Sequence, residues 1–125
     1  MHDIKNIRNN LDFFSKKILE RNVKIDFDFL LELDKKNRTL IQTKEKFEHE
    51  KKIITKNKDK TQFNKSKEIT KKIEELDLKI KKVKNDIYLI ISSIPNIALN
   101  DVPSGKDKNF NKEVKKIGEV SNFDF

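Results

Sequence analysis

ITKKIEELDLKIKKVKNDIYLIISSI, residues 69–94, is the stretch that decides the fold. Its Ile69, Ile73, Leu76, Ile80, Val83, Ile87, Ile90 and Ile94 recur in alternating steps of four and three without a lapse. Sustained over more than three heptads, that spacing lays one apolar stripe along an α-helix and marks a coiled-coil seam. Upstream, Leu33, Leu40, Phe47 and Ile54 keep a strict seven-residue repeat, although the seam positions between them are less apolar. The segment KNKDKTQ, residues 56–62, lies between the two patterns, has no apolar residue and reads as a turn. Folding the chain back at residue 60 sets Leu33 opposite Ile87, Leu40 opposite Ile80 and Phe47 opposite Ile73, pairs whose numbers all add to 120. The two registers are therefore mirror images about the turn, as an antiparallel hairpin requires. Ile54 would then face Ser66, and Lys51 would face Ile69, so the core is expected to thin toward the tip. Thirty helical residues make an arm roughly 45 Å long.

Working outward, Ile4, Ile7, Leu11, Phe14 and Ile18 form one face of a first helix opening after Asp3, a candidate N-cap. Asp26 is a second candidate N-cap, for the long helix. All four Pro and Gly residues, Pro95, Pro103, Gly105 and Gly118, come after position 94, so nothing before them breaks a helix. The expected architecture is all-α, with helices over about 4–21, 27–57 and 62–94 and an irregular, β-prone tail. Residues 1–105 would form the arm, and 106–125 a linker with a first strand.

Composition agrees with an elongated shape. Hydrophobic residues make up 34% and charged residues 40%, with a mean hydropathy of −0.81; a compact domain carries about 45–50% and about 25%. A coiled coil needs burial along only one stripe of each helix, which fits a thin core. There is no cysteine, so no disulfide or thiolate metal site is available. No stretch is long and apolar enough for a signal peptide or a membrane span, and a cytoplasmic protein is expected.

The charge is not evenly spread. Residues 51–72 hold Lys51, Lys52, Lys56, Lys58, Lys60, Lys65, Lys67, Lys71 and Lys72 against Asp59 and Glu68, a local +7 within a net +8. On a hairpin this places nearly all the net charge at the tip. Such a cluster neutralises phosphates and releases their counterions, so these nine lysines form a candidate phosphate-binding surface for a polyanion; a merely solvated lysine face is the competing reading, and charge alone weighs the two evenly. Phe63 is the one aromatic near the tip, and closing the end of the hairpin core is expected of it rather than stacking on a base. His2 and His49 are far apart, and no Gly-rich phosphate loop, Ser/His/Asp set or carboxylate pair is present, so catalytic and metal sites are both expected to be absent.

Several motifs, in order, resemble the seryl-tRNA synthetase family. MHDIKNIRNN at 1–10 is similar to its MLDIK-x-IR start, with His2 in place of Leu. LLELDKKNRTL at 30–40 is similar to L-L-x-L-D-x-x-R-R-x-L, with Asn37 in place of one arginine and Arg38 kept. SIPNIAL at 93–99 and DVPSGKD at 101–107 resemble its I-P-N and D-x-V-P-x-G-K-D-E junction, with Lys108 at the acidic position. NKEVKKIGEVSNFDF at 111–125 resembles the strand leading into the synthetase body. At the tip, KKIITKNKD at 51–59 keeps Lys56 but departs from the family's R-N-x-L-S-K-x-I-G.

The resemblance covers all 125 residues. It implies an arm that grips the long variable arm of serine tRNA, projecting from a class II catalytic domain that joins serine to tRNA with ATP and magnesium, as a homodimer. The class II signature motifs are missing, so the resemblance implies the N-terminal part of such an enzyme, inactive by itself. A generic coiled-coil interaction module and a stand-alone tRNA-binding paralogue are the alternatives.

Overall fold

A computed structural model describes residues 2–57, 60–119 and 121. Helix α1 spans Ile4–Asn9, α2 Leu11–Leu19, α3 Phe27–Lys56 and α4 Phe63–Ser93, with short 3-10 turns at Lys60–Gln62 and Lys108–Phe110. The two long helices sit within a residue of their expected bounds, and KNKDKTQ contains the turn. Among the described residues there is no strand. Residues 111–119 find no ladder partner among the described residues and run as irregular backbone.

The expected first helix, 4–21, is split at Asn10 and stops at Leu19. Asn10 leaves the helical region at φ −131° and ψ 40°, and its Nδ2 donates to the Asn6 carbonyl at 3.2 Å and to Asn6 Oδ1 at 2.8 Å. Asparagine side chains compete with the helix for backbone partners, which is why the break falls there. Asp3 and Asp26 cap α1 and α3 as read, accepting from the amides of Lys5 and Phe29 at 3.1 and 2.9 Å.

α3 and α4 run antiparallel in the expected register. Lys44 Nζ lies 2.6 Å from Asp77 Oδ1 across the hairpin, Lys65 Nζ lies 2.8 Å from Glu50 Oε1, and Lys72 Nζ sits 5.4 Å from the Phe47 ring centre. On α3 the seam alternates: Leu33, Leu40, Phe47 and Ile54 are apolar, whereas Asn37, Lys44 and Lys51 between them are polar and half-buried. Lys44 is satisfied by Asp77 and by Glu48 at 3.6 Å. The side-chain oxygen of Asn37 is buried without a hydrogen-bond partner. Polar seam positions fix register and weaken packing.

The thinning expected at the tip does not go to completion. Ile54 is 7% exposed and Ile69 3%, so the seam stays closed into the last turns. Nearer the body, Ile91 is buried and Ile90 only half-buried. There α4 meets α1 and α2 as well as α3, so its buried face widens beyond the two-helix stripe.

That junction is the main core. Ile7, Phe14 and Ile18 of the short helices pack with Phe27, Leu30 and Leu33 of α3 and with Val83, Ile87, Ile91 and Ile94 of the α4 end. Each fully buried side chain of this size contributes about 1.5–3 kcal/mol. Polar ties reinforce it. Asp34, 5% exposed, is held by Arg8 Nη1 at 2.8 Å and Arg38 Nε at 3.2 Å. Arg21 Nη1 donates to the Asn96 carbonyl at 2.6 Å, and His2 Nε2 lies 3.0 Å from the Pro95 carbonyl, its ring edge-on to Phe14. The returning chain is then fastened by Ser104 Oγ donating to the Glu20 carbonyl at 2.8 Å and Asn22 Nδ2 donating to the Gly105 carbonyl at 3.3 Å.

Candidate nucleic-acid interface

The fold gathers the tip lysines at the end of the hairpin farthest from this core. Lys51, Lys52 and Lys56 occupy the last turns of α3, Lys60 the 3-10 turn, and Lys65, Lys67, Lys71 and Lys72 the first turns of α4. Lys58 and Asp59 lie outside the described residues. Lys51 is half-buried and the other seven described lysines are exposed. Lys51, Lys52, Thr55 and Lys56, together with Glu48, line an open groove whose floor includes Ile73 of α4. The i, i+1, i+4, i+5 spacing of these four α3 residues places them on adjoining rows of one helix face.

The nine residues are not equivalent. Lys65 is paired with Glu50, Lys67 Nζ stands 4.6 Å from the Phe63 ring centre, and Lys72 leans on Phe47. Among the described residues Lys51, Lys52, Lys56, Lys60 and Lys71 have neither an ion pair nor a ring contact. An exposed ion pair such as Lys65–Glu50 is worth little, so it gives way readily to a phosphate. α4 adds a further positive element: Gln62 caps it with no side-chain hydrogen bond, and no acid occupies its first turn, which leaves the positive end of its dipole uncompensated. Farther down the arm Lys44 is raised above the usual lysine range, chiefly by its hydrogen bond to the Asp77 carboxylate and with Glu48 adding to it. That lysine is committed to the seam.

Arginine and lysine divide by location. All three arginines of the chain are at the base with fixed partners, as suits a rigid, multidentate donor. The tip is all lysine, the flexible point charge. Sequence reading located the lysines but missed the Arg8–Asp34–Arg38 knot; the pattern L-D-K-K-N-R, which places Asp34 and Arg38 four apart on one helix face, was the available signal. It also misplaced Phe63, which is 61% exposed and closes nothing.

Residues 1–104 contain no glycine for a phosphate loop, and among the described residues no cluster of three or more His, Cys, Asp or Glu is gathered. Among those residues, too, no helix is long and apolar enough to cross a membrane.

Comparison with known proteins follows the same line. A family profile described as the seryl-tRNA synthetase N-terminal domain matches residues 1–98. The serine–tRNA ligase of Pelagibacter ubique is 48% identical over 125 residues, covering 100% of this chain and 30% of that protein. Those of Wolbachia pipientis and Mycoplasma genitalium are 36% and 37% identical, again over 100% of this chain and over 32% and 31% of their own lengths. The chain thus spans a little under a third of the curated relatives it matches, at their N-terminal end.

Proposed function

The chain belongs to the seryl-tRNA synthetase N-terminal domain family, and on that premise we propose that its helical arm binds serine tRNA through the lysines of residues 51–72, gripping the long variable arm. The observation that carries the reading is the placement of a local +7 charge at the end of a two-helix lever whose opposite end holds the core. A-form RNA hides its major-groove edges, so proteins meet it through phosphates, 2′-hydroxyls and shape. Lysines on a stiff arm suit that task. Residues 1–105 are the arm unit in this reading, and 106–125 the passage toward a catalytic domain. Serine attachment with ATP and magnesium, in a cytoplasmic homodimer, is the activity of the whole enzyme; the arm's own residues take no chemical step in it.

The test is a salt-titrated binding assay of this chain with serine tRNA, intact and with the variable arm deleted. Tighter binding to the intact tRNA, with a steep negative dependence on salt, is expected. Equal binding to both forms would reduce the tip to a non-specific polyanion patch and remove the variable arm as its target.

A further inference from the structure

Phe63 opens α4 and remains 61% exposed, although the apolar seam of the hairpin begins on the same helix at the buried Ile69. That seam does not need it, since Ile54 and Ile69 are already buried at 7% and 3%. A lone exposed apolar residue is ordinary; the surroundings of this one are not. It is the only Phe, Tyr or Trp between Phe47 and Tyr88, it lies inside the lysine cluster, and Lys67, one helical turn on, holds its ammonium 4.6 Å from the ring centre. A cation at that distance is attracted to the ring and restrains it. An aromatic plane among phosphate-binding lysines is the combination that single-stranded nucleic-acid sites use, because every base has a π-face to lay on it.

We propose that Phe63 is a stacking platform for an unpaired nucleobase at the arm's tip, adding a base contact to the phosphate contacts of the lysines. The inference rests on the RNA-binding reading above and deepens it. Lys67 beside the ring and Lys60 just upstream would meet the backbone next to the stacked base. The two kinds of contact separate experimentally: phosphate neutralisation releases counterions and sets the salt slope, whereas stacking releases none.

Phe63→Leu and Phe63→Trp variants of this chain would be titrated with a serine tRNA transcript and with inorganic polyphosphate, which has charge but no bases, over a series of salt concentrations. Phe63→Leu is expected to weaken tRNA binding about tenfold at an unchanged salt slope, with polyphosphate binding and the thermal melt as in the parent. Phe63→Trp is expected to keep tRNA affinity. The chain has no other tryptophan, so the new indole reports directly: its emission should be quenched by tRNA and not by polyphosphate. Parent-like tRNA binding by Phe63→Leu, or an equal loss for both polyanions, would overturn the stacking role. The RNA-binding reading would still stand in that case if lysine replacements flattened the slope. A parent chain that prefers tRNA no more than polyphosphate would take down both.

Discussion

The base and the tip of this molecule use the same cationic chemistry to opposite ends. At the base three arginines are spent on fixed partners: Arg8 and Arg38 on the buried Asp34, Arg21 on a backbone carbonyl. Apolar residues from four helices close over the same region. At the tip, five described lysines are uncommitted, and Lys65, Lys67 and Lys72 are held by contacts that cost little to exchange. That division lets affinity for a polyanion vary at one end without disturbing the fold at the other, and each of the following changes tests it.

The largest effect is expected at the base. Leu30 is 0% exposed, and Leu30→Ala should lower stability by about 3 kcal/mol through lost burial and a residual cavity. A denaturant titration followed by circular dichroism measures this. If the two ends are separable, the salt slope for tRNA below the transition should not change.

At the tip the reverse pattern is expected. Replacing Lys51, Lys52 and Lys56 together with Ala should reduce tRNA affinity about tenfold or more and flatten the salt slope by about one unit per lost phosphate contact. Lys52 and Lys56 are exposed and Lys51 is half-buried at the seam, so the stability should stay within about 1 kcal/mol of the parent. An unaltered slope would refute the groove as a phosphate contact, and a large drop in stability would show that the two ends are coupled.

The smallest effect sits between them. Asn37→Leu removes a buried acceptor that has no partner and should stabilise the chain by about 1 kcal/mol. A thermal melt shifted downward instead would mean that Asn37 fixes the register, the use to which buried seam asparagines are put elsewhere.

What the sequence disclosed follows from how directly each feature is encoded. The long helices and their pairing were legible because a heptad repeat is itself a statement of which residues face one another. The lysine cluster was legible by counting once the turn was placed. Asn10's break was not, since it depends on a side chain winning backbone partners from a helix with otherwise regular spacing. Phe63 was misread because apolar character alone suggested burial, and only the buried Ile54 and Ile69 show that the seam was already full. The burial of Ile91 instead of Ile90 required knowing that two more helices dock at that end. Which lysines are paired was equally hidden, because Glu50 reaches Lys65 across the hairpin through side-chain geometry that no spacing rule supplies.

The seven-residue repeat shared by α3 and α4 also makes the arm's reach a quantity that changes in steps. The chain enters and leaves the arm on the same side, fastened there by Arg21, His2, Ser104 and Asn22. Removing one repeat from each helix would bring the same faces back together and shorten the lever by about 10 Å, with the body untouched. Removing a number that is not a multiple of seven would break the shared seam register and turn the lysines away from their present side. Such an arm can be lengthened or shortened to fit a differently sized RNA only by whole repeats, taken from both helices at once.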